Sequence, residues 1–250
     1  MTRPVLCWVG GKTKLKKKII SRIPNHDQYI EPFVGGGSVF FDKPPSKHEV
    51  INDKNKSLIK FYKDFKNAKR LNCGCGVPSK KHFETAKKKI EQNKASMCDY
   101  LLVNKISYGC GGENISENKK DKWVKTGCKC MNKDFLQLKN RMKNVKIENK
   151  DFRDVIKKHD GKKSFFYIDP PYEGTACPSS YTCENLKAKD VKKAVDGIKG
   201  KFLLSYKDTP ETRKLFCKKY KCERVKTKYE LQRAIIGKPK NKSELLISNY

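Results

Sequence analysis

The sequence predicts an α/β fold built on a parallel sheet. Short apolar runs alternate with amphipathic stretches along most of the 250 residues, which is typical of strands joined by crossover helices. The apolar runs predict strands at residues 28–34, 49–51, 164–168, 201–205 and 244–248. The amphipathic stretches predict helices at residues 37–42, 57–67, 188–198 and 210–218. At this length, one catalytic core with a modest insertion is expected.

The alternation breaks between residues 69 and 144. This stretch contains two Lys-rich segments with helical character, a Gly-Cys-Gly-Gly turn at residues 109–112 and no apolar strand. Its basic side chains are interleaved with aromatic ones. The pattern therefore predicts an inserted, mainly helical segment.

The net charge points to a polyanionic partner. The chain has 58 Lys and Arg against 27 Asp and Glu, a formal charge of +31, which attracts nucleic acid and makes binding sensitive to salt. A generally Lys-rich composition would contribute to the same excess, because most charge runs are solvated faces. The sequence has no apolar run of membrane-spanning length and no secretory segment at its N-terminus, so we expect an intracellular protein that does not bind membranes.

The eleven cysteines are expected to be reduced thiols, because their number is odd and no secretory segment is present. Two Cys-x-Cys pairs stand out, Cys73 with Cys75 and Cys128 with Cys130. Their spacing is one residue tighter than that of the usual zinc knuckle. Free thiols are therefore the preferred interpretation, and a structural zinc site is the alternative.

A glycine run follows the first predicted strand, in the sequence EPFVGGGSVFF. Glycines where a strand turns toward a helix let the backbone come close to a nucleotide-like ligand at the carboxyl end of a sheet. The next strand ends in VINDKN, where Asp53 could accept hydrogen bonds from a ribose. Glycine turns are common, but together with Asp53 this one predicts a nucleoside-binding site.

The most specific motif is SFFYIDPPY, an apolar strand that leads directly into Asp169, Pro170, Pro171 and Tyr172. Two prolines cannot continue a central ladder, so the backbone leaves the sheet rigidly and without N–H groups. A carboxylate and carbonyls remain as acceptors, which suits an exocyclic amine that develops positive charge. Tyr172 offers a stacking face for an extruded base.

Together these motifs resemble the Dam-type (D12 class) DNA adenine-N6 methyltransferases. The resemblance runs over nearly the whole chain outside residues 69–144. The segments that carry it are CWVGGK at 7–12, EPFVGGGSVFF at 31–41, IND at 51–53, DF at 151–152, DPPY at 169–172, LLSYKDT at 203–209, QRAI at 232–235 and ELLISNY at 244–250.

The resemblance implies a Rossmann-like S-adenosylmethionine-dependent methyltransferase fold with an inserted, mainly helical target-recognition domain. Residues 1–68 would form the donor-binding part of the core, residues 69–144 the inserted domain, and residues 145–250 the second part of the core with the DPPY motif. Methyl transfer would be a direct in-line displacement at the sulfonium, without a covalent enzyme intermediate and without a metal. Positioning and electrostatics would supply the catalysis.

The resemblance also implies roles for particular residues. Trp8 and Lys12 would help to bind the methyl donor, and Asp53 would take its ribose hydroxyls. The methionine portion would be lined by Phe33, Gly35 and Gly37, and the donor's adenine would be held by Asp151 and Phe152. Asp169, with Pro170 and Pro171, would lie between donor and target amine, and Tyr172 would stack on the flipped adenine.

The implied substrate is double-stranded DNA, and the target base must leave the stack because its amine is otherwise inaccessible. The stretch NKISYGCGG would approach the duplex, with Asn104, Lys105, Ser107 and Tyr108 as candidate contacts to bases or phosphates. Arg233 is a further candidate. The family often has Lys where this chain has Cys7, so a GATC target is not inherited. A cognate restriction endonuclease acting separately is an expected partner, and the oligomeric state is open.

Two other functions are compatible with the sequence. The same chemistry could act on adenine in RNA or on the N4 amine of cytosine in DNA. A non-catalytic nucleic-acid-binding protein could also keep the fold. Such a protein would usually lose Asp53, Asp169 or the glycines, and this chain has all of them, which favours an enzyme.

Overall fold

The computed structural model describes the backbone of residues 4–71, 73, 76–122, 128–174, 186–228 and 241–250, and their side chains except those of residues 120–134 and 227–242. The strands are β1 Gln28–Glu31, β2 His48–Asn52, β3 Val145–Glu148, β4 Ser164–Ile168, β5 Lys201–Lys207, β6 Lys221–Lys228 and β7 Asn241–Ser248. The helices are α1 Lys16–Ile20, α2 Lys56–Asn67, α3 Lys80–Glu91, α4 Met97–Ile106, α5 Glu117–Lys122, α6 Cys128–Arg141, α7 Phe152–His159, α8 Ala188–Asp196 and α9 Pro210–Phe216.

The strands form one seven-stranded sheet in the order β3-β2-β1-β4-β5-β7-β6. Strands β1 to β5 are parallel to one another, and β7 is antiparallel to both β5 and β6. The predicted α/β class is therefore confirmed, with one antiparallel strand near an edge. Among the described helices, none has the length and apolarity needed to cross a bilayer.

Successive residues of β4 face opposite sides of the sheet, as strand geometry requires. Phe165 and Tyr167 lie in the core on one side, and Phe166 and Ile168 lie in the core on the other. All four are at most 1% exposed. Burial on both faces explains why this strand reads as a continuous apolar run, which is how a central parallel strand is recognised in a sequence.

The predicted strands and the structure differ most at the edges of the sheet. Strand β4 begins and ends where the sequence predicts, but β3 and β6 were not predicted. Both are edge strands, and at least half of the residues in their sequences VKIE and KCERVKTK are charged. Charged residues are typical of edges, where they discourage pairing with other chains, and they remove the apolar signal on which strand prediction depends.

The helix predicted at residues 37–42 is wrong. These residues form turns, in which Phe41 N donates to Gly37 O at 2.9 Å and Lys43 N to Val39 O at 3.0 Å. The preceding glycines have φ values of +46° at Gly35 and +67° at Gly37. This left-handed backbone is readily adopted by glycine and does not start a regular right-handed helix.

Helices α3 to α6 lie between α2 and β3 in the chain, in the stretch predicted to be an insertion. No strand occurs in the described parts of residues 69–144; Ser107 and Ile115 form an isolated bridge. Helices α3, α4 and α6 contribute residues to the core cluster that also contains Phe165 and Tyr167 of the sheet, so this stretch is continuous with the core. The side chain of Arg141 in α6 forms a bidentate ion pair with Glu49 in β2.

The prediction of reduced thiols is wrong for six cysteines. Disulfide bonds join Cys7 to Cys110, Cys73 to Cys98 and Cys217 to Cys222. The fold brings the Cα atoms of each pair within 5.0 to 5.8 Å, the separation that a disulfide requires, and an odd total count cannot exclude such pairs.

The Cys-x-Cys prediction is only partly covered by the described residues. Cys73 is bonded to Cys98, so it does not offer a thiolate to zinc. Cys75 and the side chains of Cys128 and Cys130 lie outside the described residues.

We expect the double substitution of Cys7→Ser and Cys110→Ser to lower the free energy of unfolding by about 5 kcal/mol, because in the chain-entropy model the stabilisation grows with the closed loop. The two cysteines are 103 residues apart in sequence. Urea unfolding without reductant measures the loss. As the matched control, Cys217 and Cys222 are only 5 residues apart, and replacing both should cost about 2 kcal/mol. Equal losses for the two pairs would contradict the expectation.

Candidate active site

The sheet order reverses between β1 and β4, and ligands of open α/β sheets bind beyond the carboxyl ends of the strands at such a point. Three predicted motifs follow strands that end here. The glycine run follows β1, Asp53 follows β2, and Asp169 opens the loop after β4. Because these strands are parallel neighbours, motifs far apart in the sequence meet at one edge of the sheet.

The glycine run packs directly against the indole of Trp8. A Cβ atom on Gly35 would lie 2.5 Å from Trp8 Nε1, and one on Gly36 would lie 2.7 Å from Trp8 Cβ. Only glycine leaves room for this approach. The Tyr62 hydroxyl, from α2, donates to the Gly35 carbonyl at 2.7 Å. Trp8 and Gly35, two residues predicted to bind the donor, are therefore in contact. The hydrogen bond from Tyr62 also connects the glycine turn to α2.

Asp53 closes the same turn from β2. Its Oδ2 accepts a hydrogen bond from Gly35 N at 3.0 Å, and its Oδ1 accepts one from Asn55 N at 3.0 Å. Burial raises the pKa of Asp53, and the backbone donors oppose this effect. The carboxylate thus connects the ends of β1 and β2 at the glycine turn.

Asn52 is a structural residue of the site that the sequence interpretation did not single out. Its Nδ2 donates to Pro32 O at 2.9 Å and to Lys150 O at 3.0 Å, and its Oδ1 accepts from Lys150 N at 2.8 Å. These bonds join the loops after β1, β2 and β3. The sequence feature that could have identified Asn52 is its position at the end of an apolar strand, because a buried amide side chain there needs hydrogen-bond partners.

An aromatic pair borders the glycine turn on the other side. The rings of Phe33 and Phe152 lie 5.0 Å apart at an angle of 37°, so two predicted donor-binding residues are again adjacent. Asp151 caps α7 by accepting from Arg153 N at 2.9 Å. The guanidinium of Arg153 also donates to this carboxylate, which lowers the pKa of Asp151.

A buried ion pair lies at the end of β4. Lys12 Nζ is 2.7 Å from Asp169 Oδ1 and 3.7 Å from Glu244 Oε2, and it donates to Gly10 O at 3.1 Å. Lys12 is only 5% exposed. Burial lowers the pKa of Lys12, but the two carboxylates outweigh burial and raise it above its ordinary value. Lys12 is therefore charged at neutral pH.

Tyr172 completes this cluster. Its hydroxyl donates to Glu244 Oε2 at 3.2 Å, and its ring centre lies 5.2 Å from Lys12 Nζ and 5.1 Å from the ring of Tyr206. Between Asp169 and Tyr172, Pro170 is buried and Pro171 is half-buried. Glu244 was not predicted as a site residue, since its only signal is an acidic side chain within the apolar run of β7.

The predicted DNA-contacting residues divide into buried and accessible ones. Asn104 is 6% exposed and exchanges two hydrogen bonds with the backbone of Cys7, and Ser107 is fully buried. The proposed DNA interface therefore does not include Asn104 and Ser107. Tyr108 is 57% exposed. Lys105 is half-buried, and burial together with nearby Lys119 lowers its pKa to about 8.

The prediction for Arg233 lies outside the described residues, as does the whole QRAI motif. For the residues predicted to bind the donor or the target amine, the described contacts form three groups at one edge of the sheet. They are the glycine turn with Trp8 and Asp53, the Phe33–Phe152 pair, and the cluster around Lys12 and Asp169.

Residues 8–231 match the model of the D12 class N6 adenine-specific DNA methyltransferase family. The curated proteins similar to this chain include the Type II methyltransferase M.MjaIII of Methanocaldococcus jannaschii, 30% identical over 213 residues, which cover 72% of each chain. The Type II methyltransferase M1.LlaDCHI of Lactococcus lactis is 28% identical over 79% of this chain and 76% of its own.

Another relative, the Type II methyltransferase M.CviBI of Paramecium bursaria Chlorella virus NC1A, is 24% identical over 99% of this chain and all of its own length. Among solved structures, a precorrin 8w decarboxylase from Methanobacterium thermoautotrophicum is 8% identical over 99% of this chain and 95% of its own, with a TM-score of 0.40.

We expect Gly35→Ala to lower the free energy of unfolding by about 3 kcal/mol, because it combines left-handed backbone strain with overpacking against Trp8. Gly174→Ala is the matched control. Gly174 also has a positive φ, of +73°, but its Cβ atom would meet nothing within 4 Å, so only the strain of about 1 kcal/mol should appear. Chemical unfolding followed by tryptophan fluorescence measures both. If the two losses were equal, contact with Trp8 would not limit position 35.

Proposed function

Because the chain belongs to the D12 class N6 adenine-specific DNA methyltransferase family, we propose that the edge of the sheet at β1 and β4 is its active site. The protein is a site-specific DNA methyltransferase that modifies the N6 amine of adenine. The observation that carries the proposal is the buried Lys12–Asp169 ion pair. It joins the N-terminal segment to the DPPY loop beside the glycine turn.

The family implies S-adenosylmethionine as the methyl donor, and the residues at this edge fit such a ligand. The glycine turn, where a Cβ atom on Gly35 or Gly36 would collide with Trp8, lets the indole of Trp8 lie directly against the backbone at this edge. Asp53, at the end of the following strand, suits ribose hydroxyls. The Phe33–Phe152 pair suits the donor's adenine.

We assign the donor to Trp8, Lys12, Phe33, Gly35, Gly37, Asp53, Asp151, Phe152 and Asp169. When bound, the donor supplies a methyl group on a positively charged sulfur. The chain's own residues bind it, orient it and keep water away from it.

The DPPY loop would hold the target amine. The Asp169 carboxylate and the Pro170 carbonyl accept hydrogen bonds and lack protons that would compete, so they can orient the amine and stabilise its developing positive charge. Lys12 holds Asp169 in place at 2.7 Å. Pro171 restricts the backbone of the loop. Tyr172 would stack on the extruded base, and this stacking would stabilise the bound base by roughly 1 to 3 kcal/mol.

We propose that residues 69–144 form the target-recognition part of the enzyme, inserted between core parts 1–68 and 145–250. Exposed Tyr108 and half-buried Lys105 would contact the duplex at the turn after α4. A half-buried lysine near a second lysine is stabilised in its charged form when a phosphate approaches. The formal charge of +31 would add salt-sensitive attraction along the DNA.

Such an enzyme would work inside cells, where its DNA substrate is. The relatives named as Type II methyltransferases favour a role as the modification half of a restriction system. A cognate endonuclease would then act as a separate protein on the same DNA sequence.

We expect Asp169→Asn to reduce methyl transfer more than 100-fold, because a neutral amide stabilises the developing positive charge poorly. The assay uses radiolabelled S-adenosylmethionine and duplex DNA, followed by nucleoside analysis for N6-methyladenine. RNA of the same sequence tests the alternative substrate. Asp27→Asn is the control, since Asp27 pairs with Lys163 at the opposite end of the sheet. Near-normal turnover of the Asp169 variant would remove Asp169 from the mechanism.

Asp53→Ala should instead weaken donor binding at least tenfold, while the turnover at saturating donor stays within a few-fold of wild type. The reason is that Asp53 contacts the glycine turn and not the DPPY loop. Isothermal titration with S-adenosylmethionine gives the affinity, and Asp27→Asn, remote from the site beside Lys163, serves as the reference that keeps it. Unchanged donor affinity in the Asp53 variant would contradict the assignment.

A further inference from the structure

A buried carboxylate remains that the proposed mechanism does not use. Glu244 lies in β7, is 2% exposed, and contacts Lys12 and Tyr172 at once. In the sequence, Glu244 lies more than seventy residues after the DPPY loop. An ionisable group is rarely retained at such burial without paired charges or a function.

The charges around Glu244 define its electrostatic effect. One ammonium, that of Lys12, lies between two carboxylates, 2.7 Å from Asp169 and 3.7 Å from Glu244. With Glu244 neutral, Lys12 and Asp169 cancel. With Glu244 ionised, the cluster carries one net negative charge, and the ammonium is shared between two acids.

We propose that Glu244 is a positioning residue for methyl transfer. Glu244 holds the Tyr172 hydroxyl. It also shares the Lys12 ammonium with Asp169, which leaves the negative charge of Asp169 free to act on the target amine. This inference rests on the proposed function. The transferred methyl group leaves a cationic sulfur for an amine that itself becomes positive, so a site with excess negative charge stabilises the reacting pair.

The geometry also gives Glu244 control over the stacking ring. Tyr172 is held at one end by the hydroxyl bond to Glu244 at 3.2 Å and along its face by Tyr206 at 5.1 Å. A ring fixed at both places is preorganised to receive a base. Losing the bond to Glu244 would remove one of the contacts that orient the ring, beside those to Tyr206, Lys12 and Asp169.

The titratable and charged groups that face Glu244 can be named for the described part of the chain. Lys12 faces it from the N-terminal segment, and Asp169 and Tyr172 face it from the loop after β4. Lys207, opposite it on β5, is exposed, and Val225, opposite it on β6, is apolar. Burial and Asp169 raise the pKa of Glu244 to about 7, against the opposing effects of Lys12 and Tyr172.

The test compares Glu244→Gln with Asp208→Asn in single-turnover methylation of duplex DNA. Glutamine keeps the size of the side chain and an oxygen that accepts from Tyr172, but it removes the charge. Asp208 is the matched control: its side chain is 1% exposed and accepts from Ser243 Oγ at 2.6 Å. Ser243 precedes Glu244 on β7 and points to the opposite face.

We expect Glu244→Gln to slow the single-turnover rate at least tenfold, with the dissociation constants for S-adenosylmethionine and DNA within about threefold of wild type. Glu244→Leu, which also loses the acceptor, should be slower still and should weaken DNA binding. Asp208→Asn should keep the wild-type rate per folded molecule. The wild-type rate should rise with pH through about 7 as Glu244 ionises, and this rise should vanish in Glu244→Gln.

Three results would overturn the inference. They are a Glu244→Gln rate within twofold of wild type, an equal loss in Asp208→Asn, and a wild-type rate that does not change between pH 6 and 8. The pH measurement uses only the wild-type protein, so it does not depend on whether a variant folds. Failure of the proposed function is distinguishable, because wild-type protein would then form no N6-methyladenine, whereas failure of this inference leaves wild type active and Asp169→Asn inactive.

Discussion

The ion pair between Lys12 and Asp169 is the contact on which the arrangement of the site depends. It is buried, and it joins a segment near the N-terminus to the loop after β4, which is more than 150 residues away in sequence. Removing Lys12 would leave Asp169 and Glu244 without their shared cation, which is far more costly than losing a surface pair. The pair therefore fixes the relative position of the residues assigned to the donor and those assigned to the target base.

Around this pair, the sheet topology supplies the rest of the geometry. The strand order reverses between β1 and β4, which is where open α/β sheets bind ligands. The glycine turn, which accommodates Trp8, and the DPPY loop follow the two strands that border this reversal. Side chains that are unremarkable alone, such as Asn52 and Tyr62, tie the surrounding loops together through buried hydrogen bonds. These hydrogen bonds connect the loops after β1, β2 and β3 with α2 at this edge of the sheet.

The parts that were predictable from sequence are those that a local pattern encodes. A doubly buried strand such as β4 is a run of apolar residues, and Asp169 and Tyr172 follow it directly. Glu244 and the partners of the cysteines were not predictable, because they depend on which strands and loops become neighbours. The edge strands β3 and β6, in which at least half of the residues are charged, contain no continuous apolar run. Asn104 and Ser107 were named as candidate DNA contacts from a motif, which does not reveal that their side chains are buried.

The bond between Cys7 and Cys110 has a consequence for how the enzyme meets its substrate. It lies directly beside Trp8 on one side and two residues from Tyr108 on the other, and the Asn104 amide reinforces the same junction. The part of the chain proposed to approach DNA is thereby covalently linked to the segment assigned to the methyl donor. The disulfide prevents these two parts from separating by a hinge motion at this point. The DNA duplex, and not an opening of the protein here, therefore has to supply the distortion that base extrusion requires.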